Sequence, residues 1–150
     1  MGGYHSRVKL RVAWIGKTKD AAIRSLTDEY LKRISRYADA QGLELASEAA
    51  LLRQVEKSRG TLVLLDSRGK QISSEDLAAF LAEHQNRGTQ ALIFAVGGAD
   101  GFSDETRKSA ATQLSLGRMT LAHELARVVL LEQLYRAFTI LKGHPYHTGH

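Results

Sequence analysis

The chain has 150 residues, of which 43% are hydrophobic and 25% are charged, the balance of an ordinary globular domain rather than a disordered segment. It contains no cysteine, which excludes disulfides, zinc–thiolate sites, iron–sulfur clusters and a cysteine nucleophile. We find no apolar run of the ~18 residues that a membrane span needs and no secretory leader, so we expect a soluble, cytoplasmic protein with one domain over residues 1–150, in which residues 1–6 form a flexible extension. The net charge of +5 favours a polyanionic partner such as nucleic acid.

The first third of the chain contains alternating strand and helix signals. Residues 8–15 alternate and then become apolar, as in a strand that is covered on both faces. From Asp20 to about Ala40 apolar residues recur at helical spacing, and Gly42 is expected to stop this helix. A short strand over residues 43–46 and a weaker helical pattern follow, the latter carried by Leu51, Leu52 and Val55.

Two buried strands dominate the middle of the chain. Residues 61–66 are the first, and a turn is expected over residues 67–70. Ser73, with Asp76 three residues later, predicts the capped start of a helix that extends to about Asn86. Residues 91–96 are the second buried strand.

The last third is expected to be mostly helical. Ser103 predicts the cap of a short helix, an apolar patch follows over residues 114–121, and the longest helical pattern covers residues 123–142. Strands that alternate with helices predict an α/β fold with a parallel sheet flanked by helices.

Two segments are open to a functional or a purely structural interpretation. The loop Gly97–Gly101 follows a buried strand, where parallel sheets bind ligands, but a tight turn before a capped helix explains it equally well. The helix over residues 123–142 is too apolar to have one wet face, which indicates either a subunit interface or a central core helix.

Metal binding is not supported by the histidine positions. His123 and Glu124 begin like a zinc-protease helix, but Arg127 replaces the second histidine that such a site needs. The tail histidines at positions 144, 147 and 150 are spaced by three, yet no carboxylate or thiolate accompanies them. We therefore expect no functional metal.

Several segments in fixed order closely resemble the RlmH family, the small SPOUT-class methyltransferases of the large ribosomal RNA. They are the strand end at 64–66, the loop at 97–101, the run LSLGRMTLAH at 114–123, the run RVVLLEQLYRAF at 127–138 and the tail HPYH at 144–147. The resemblance covers about residues 8–147 and is strongest from residue 91 onward. Glu124 departs from the proline or glutamine that is usual in this family, which would add negative charge near the site.

The resemblance implies a fold, an activity and an assembly. The carboxyl-terminal part of the sheet would be threaded into a deep trefoil knot, a rare exception to the rule that chains avoid knots. The protein would be a homodimer that uses S-adenosylmethionine to methylate N3 of a pseudouridine in 23S ribosomal RNA, and it would act on this RNA within the ribosome. An RNA-binding module without catalysis, and the same reaction on transfer RNA, are the alternatives.

The resemblance also implies site residues. The methyl donor would lie against nine residues from three segments: Leu65, Gly97, Gly98, Leu116, Gly117, Arg118, Met119, Thr120 and Leu121. The catalytic candidates are His147 as a proton acceptor or orienting group, Tyr146 as a stacking platform for the base, and Arg136. An inert tail is the alternative for the first two.

RNA affinity is expected from a small basic patch. Its candidates are Arg127, Arg136, Lys142 and the tail histidines. For Arg136 the alternative is an ion pair with Glu132, four residues earlier.

Overall fold

The computed structural model describes residues 8–147; the expected extension over residues 1–6 lies outside them. Five strands alternate with five α-helices in chain order: β1 Lys9–Ile15, α1 Ala21–Ile34, β2 Asp39–Leu45, α2 Glu48–Ser58, β3 Thr61–Gln71, α3 Ser74–Arg87, β4 Ala91–Val96, α4 Asp104–Ser109, β5 Thr112–Ser115 and α5 His123–Leu141. A 3₁₀ turn, Pro145–His147, follows. The strands form one parallel sheet in the order β2-β1-β4-β3-β5, which confirms the α/β prediction.

Alternate side chains of the central strands enter two separate cores, because successive strand residues point to opposite faces of a sheet. Leu92 and Phe94 of β4 pack on the face that carries α1, α3 and α5. Ile93 and Ala95 pack on the other face, together with Leu51 of α2. Both faces are therefore covered, and this explains the almost continuous apolar sequence of β4.

Helix α5 occupies the centre of one sheet face. It packs against α1 and against α3. Eight of its side chains are buried within the single chain: Arg127, Leu130, Leu131, Leu134, Tyr135, Ala137, Phe138 and Thr139. The expectation that this helix is buried on more than one side is confirmed, and the core-helix interpretation accounts for most of its apolar residues.

The prediction for the end of α1 is wrong. The helix ends at Ile34, and Gly42 lies inside β2, paired with Val12, rather than at a helix stop. A Cβ atom on residue 42 would lie 2.7 Å from Cη2 of Trp14. Glycine is needed here because the Trp14 indole covers the strand.

The turn predicted over residues 67–70 is also wrong. Strand β3 continues to Gln71, and Leu114 of β5 pairs both with Leu65 and with Lys70. Between them β3 has a bulge, and its backbone lies so close to β5 that a Cβ atom on Gly69 would be 2.7 Å from the carbonyl carbon of Gln113. The polar, glycine-containing sequence looks like a turn but forms a bulge in a strand that is paired with β5.

The helix starts were predicted well. Ser73 accepts the Asp76 N–H at 3.0 Å, and the Asp76 carboxylate accepts the Ser73 N–H at 3.2 Å, which is a complete capping box. Ser103 caps α4 through the Thr106 N–H. Among residues 8–147, no helix is both long and apolar enough to cross a membrane.

Candidate active site

A cavity of about 320 Å³ lies at the carboxyl end of β4, beside Leu65 of β3, where the pairing of these two strands ends. Leu65 and the loop that follows β4 line one side, and the loop between β5 and α5 lines the other, with His123 and Ala126 of the first turn of α5. Open parallel sheets bind ligands at this edge. The cavity is therefore the candidate active site.

The two neighbouring glycines after β4 have different roles. Gly97 is buried, and a Cβ atom there would lie 3.2 Å from the carbonyl carbon of Gly101 and 3.2 Å from the Phe102 ring, so this glycine permits tight packing of the loop. A Cβ atom on Gly98 would meet no heavy atom within 4 Å. The turn is closed by the Gly101 N–H, which donates to the Gly98 carbonyl at 3.0 Å. Gly98 thus leaves open space beside the cavity, and no neighbouring protein atom requires a glycine there.

The opposite wall is fixed by Ser115 at the end of β5. Its buried hydroxyl donates to the Gly117 carbonyl at 2.7 Å and accepts the Gly117 N–H at 3.2 Å. Gly117 has φ +149°, a conformation that other residues rarely adopt. Beyond it the loop presents Leu116, Met119 and Leu121 to the cavity, and Met119 is 85% exposed. The wall combines a fixed backbone turn with an apolar surface.

An ion-pair network borders the cavity on the β3 side. The Asp66 side chain is 5% exposed; its carboxylate accepts from Nε of Arg107 at 2.7 Å and from the backbone N–H of Arg68 at 2.9 Å. Burial alone would raise the pKa of Asp66, but these two donors outweigh it and hold the pKa below its usual value. Asp66 is therefore a fixed anion in this structure.

Eight of the nine residues expected at the donor site line this one cavity. They are Leu65, Gly97, Gly98, Leu116, Gly117, Met119, Thr120 and Leu121. Arg118 lies in the same loop but is exposed and does not line the cavity. The sequence missed Asp66, Asp100, Arg107 and His123 as members of the lining, although all of them except Arg107 belong to the segments that carry the family resemblance.

The catalytic candidates of the tail lie elsewhere in the chain. The hydroxyl of Tyr146 donates to Oε2 of Glu132 at 2.9 Å, and Nη2 of Arg136 donates to the same oxygen at 2.7 Å. Burial and this carboxylate raise the pKa of Tyr146. The backbone of His147 ends the 3₁₀ turn, but its side chain lies outside what the structure describes. The predicted alternative for Arg136, an ion pair with Glu132, is confirmed.

This tail cluster, Glu132, Arg136 and Tyr146, is remote from the cavity of its own chain. Ala126 lines the cavity and Arg136 lies ten residues further along the same helix, which corresponds to about 15 Å at 1.5 Å per residue. The fold does not bring the two sets of predicted residues together within one chain.

The prediction that Arg127 belongs to an RNA-binding patch is wrong. Arg127 is only 2% exposed; its guanidinium stacks on the Trp14 ring at 4.0 Å and donates to Oγ1 of Thr18 at 2.8 Å. Its Nε has no hydrogen-bond partner among the described residues. Arg127 joins α5 to the β1–α1 loop inside the protein and is inaccessible to RNA.

Glu124 acts inside the same chain. Its carboxylate accepts the backbone N–H groups of Lys19 and Asp20, each at 3.4 Å. The departure from the family pattern at this position is thus explained by a contact to the start of α1. Of the tail histidines, His150 lies outside the described residues, and residues 8–147 contain no group of three or more side chains that could hold a metal.

Comparison with known proteins identifies the family. The family model described as "Predicted SPOUT methyltransferase" matches residues 8–147. The ribosomal RNA large subunit methyltransferase H of Koribacter versatilis (strain Ellin345) is 62% identical over 146 residues, which cover 95% of this chain and 100% of that protein. The chain belongs to the SPOUT methyltransferase family. The methyltransferase H of Geobacter sp. (strain M21) is 46% identical, with coverage of 93% and 99%, so the resemblance to the RlmH family is confirmed.

Solved structures agree with the SPOUT fold. A probable methylase family protein from Haemophilus influenzae Rd KW20 superposes with a TM-score of 0.65 at 10% identity, covering 93% of this chain and 70% of that one. The SpoU methyltransferase AviRb from Streptomyces viridochromogenes, solved in complex with AdoMet, gives a TM-score of 0.55 at 17% identity, covering 87% and 58%. At these identities the likeness concerns the fold alone.

Proposed function

We propose that this protein methylates N3 of a pseudouridine in large-subunit 23S ribosomal RNA, with S-adenosylmethionine as the methyl donor. The observation that carries the proposal is the cavity at the β3 and β4 strand ends, which gathers eight residues that the RlmH resemblance assigns to the donor. The names of the two RlmH relatives supply the substrate class, large-subunit ribosomal RNA. We expect the protein to meet this ribosomal RNA in the cytoplasm.

The residues of the cavity fit the donor. Gly98 leaves room for a ligand against the backbone, since a Cβ atom there meets no protein atom within 4 Å. Leu65, Leu116 and Leu121 offer apolar surface for the adenosine part, and the exposed backbone of the loop after β4 offers polar groups. When bound, S-adenosylmethionine supplies an electrophilic methyl group; the task of this chain is to hold it and orient the RNA base beside it.

Donor binding is the direct test of the cavity. Gly98→Val adds a side chain where only ligand space exists, so we expect the donor affinity, measured by calorimetry, to fall by at least about 30-fold. Ala79→Val, at an exposed position of α3, is the matched control and should leave the affinity unchanged. Unchanged affinity in a folded Gly98→Val protein would contradict the assignment.

The reaction itself is tested on ribosomes that lack the modification. Labelled methyl groups should be transferred to 23S RNA at a pseudouridine, and the product should be the N3-methylated base. Transfer to transfer RNA instead would favour the alternative substrate, and donor binding without transfer to any RNA would favour the noncatalytic RNA-binding module.

We also propose that residues 1–150 form a single SPOUT domain whose last part is threaded through a trefoil knot. The match to the SPOUT family over residues 8–147 supports this. The Gly69 backbone lies directly against Gln113 and Leu114 of β5, and after β5 the chain returns to pack α5 against both α1 and α3.

A two-fold homodimer is the proposed assembly. Leu125 of α5 is 45% exposed, and Leu116 and Met119 of the neighbouring loop are exposed as well, which leaves apolar surface at the cavity end of α5. A second protomer could cover this surface and bring its own tail cluster toward the cavity, which one chain alone does not achieve. Light scattering at micromolar concentration should give the mass of a dimer; a monomer would contradict the proposal.

A further inference from the structure

We infer that His123 is the catalytic residue that accepts the proton from N3 of the target base, an inference that rests on the proposed function. N3 of a neutral pseudouridine carries a proton, which must leave before or during attack on the methyl group. The acceptor has to stand in the cavity where the base meets the donor. The RlmH resemblance implies His147 for this role, but the described residues that line the cavity include a different imidazole, that of His123.

Among residues 8–147, five ionisable side chains line the cavity. They are Asp66, Arg68, Asp100, Arg107 and His123. The two arginines are permanent cations and accept no proton. Asp66 is tied to Arg107 and to the Arg68 N–H, and its lowered pKa makes it a poor base. A carboxylate such as that of Asp100 is ordinarily a weaker base than an imidazole. His123 is the group whose ordinary chemistry suits proton transfer near neutral pH.

The placement of His123 also suits the role. It is the first residue of α5 and is exposed at the cavity wall, beside the apolar loop that carries Leu121. Within residues 8–147 its side chain makes no hydrogen bond or ion pair, so no internal partner competes for the ring nitrogen. Glu124 next to it is already held by the Lys19 and Asp20 N–H groups, and Arg127 faces the interior.

The tail cluster offers no comparable base within the chain. The Tyr146 hydroxyl donates a hydrogen bond to Glu132, and its raised pKa disfavours ionisation. Arg136 shares the same carboxylate. These groups can clamp or stack RNA, but they hold protons rather than accept them.

The step balances with His123 as the base. The imidazole nitrogen takes the proton from N3, and the electron pair left on N3 forms the bond to the methyl carbon. The carbon–sulfur bond of the sulfonium breaks, and its electron pair stays on sulfur as a neutral thioether. The positive charge thus passes from the sulfonium to the imidazolium, which releases its proton to water.

The experiment compares His123→Ala with His147→Ala, which each remove one imidazole. For His123→Ala we expect kcat on hypomodified ribosomes to fall by about 10²–10⁴-fold, while the calorimetric donor affinity stays within about threefold. The kcat of the wild type should level off above the pKa of an imidazole, whereas that of His123→Ala should keep rising with pH until N3 itself ionises. Added imidazole should restore part of the rate to His123→Ala but not to His147→Ala.

A readout that does not depend on turnover completes the test. In the donor-bound wild type, the NMR signals of the His123 ring protons should shift when hypomodified RNA binds, because the target base then lies beside the imidazole. A His123→Ala rate within threefold of the wild type, imidazole rescue confined to His147→Ala, or loss of donor binding in His123→Ala would each overturn the inference while leaving the proposed function intact. If the wild type transfers no methyl group to RNA, both the inference about His123 and the proposed function are wrong.

Discussion

The two ends of α5 differ in what their side chains contact. At the first turn, His123 and Ala126 line a cavity, and Ala122 provides no side-chain cap for the helix. Near the last turns, the Arg136 guanidinium and the Tyr146 phenol share the Glu132 carboxylate, and the Tyr146 and Tyr135 rings pack edge to face at 4.7 Å. At the first end His123 remains available to a ligand, while Arg136 and Tyr146 at the second end are engaged within the chain. Residue type alone therefore does not locate the chemistry.

The largest effect is expected where α5 is tied to the rest of the protein. Arg127→Ala removes a buried side chain that contacts Trp14 and Thr18, and it should lower the free energy of unfolding by about 3–5 kcal/mol in urea denaturation. Arg127→Met retains the volume and should lose less. Arg53→Ala, at an exposed position of α2, serves as the control with a change within about 0.5 kcal/mol. An equally small change in Arg127→Ala would contradict the anchoring role.

The hydrogen bonds near the last turns of α5 are tested by removal of their shared acceptor, the Glu132 carboxylate. Glu132→Ala takes away the acceptor of both Tyr146 and Arg136 and should lower the free energy of unfolding by about 1–3 kcal/mol, whereas Glu132→Gln keeps an acceptor oxygen and should lose less. Folding raises the pKa of Tyr146. The stability that its hydrogen bond contributes is therefore complete below the pKa of an unfolded tyrosine and is lost at higher pH.

Absorbance of the phenolate measures this directly. The pKa of Tyr146 should move down toward its ordinary value in Glu132→Ala. If the alkaline titration of the variant equals that of the wild type, Tyr146 is not controlled by Glu132, and the contrast between the two ends of α5 is lost.

Asp66, the fixed anion beside the cavity, makes the stability of the protein depend on pH in the acid range. The folded pKa of Asp66 is lowered, so its stabilising effect is present above the pKa of an unfolded aspartate and is lost as the pH falls through the folded value. Asp66→Asn should cost about 1–2 kcal/mol at pH 7, and its loss of stability between pH 7 and pH 3 should be smaller than that of the wild type. Urea denaturation of the wild type and of Asp66→Asn at pH 7 and pH 3 measures this difference. An identical pH dependence of the two proteins would contradict the prediction.

The smallest effect concerns which end of α5 meets RNA. Arg118 precedes the helix near the cavity and Lys142 follows it near the tail, and both are exposed. Arg118→Gln and Lys142→Gln should each weaken RNA binding by a few-fold and reduce the slope of log K against log salt by about 1. RNA binding by the wild type that does not depend on salt would contradict a phosphate-binding patch altogether.

Local sequence signals predicted the elements whose structure is decided locally. The apolar run of β4 and the capping box of Ser73 and Asp76 depend on neighbours within a few residues, and both were predicted correctly. The family resemblance also predicted most of the cavity, because its motifs follow strand ends. The positions of Gly42, Gly69 and Arg127 were misinterpreted since each is determined by a distant partner, which for Arg127 is Thr18, 109 residues away.

The contact between Gly69 and the β5 backbone also orders the events of folding. Residues 66–69 can reach their final position only when Gln113 is in place, and α3, β4 and α4 lie between these two segments in the chain. This pairing is non-local, so its loop-closure cost comes before any gain, and it should form late and slowly. The same contact holds β5 against β3, so that β5 can separate from the sheet only after residues 66–69 of β3 have moved. The edge strand that borders the cavity is thus expected to exchange its amide protons slowly, unlike most edge strands.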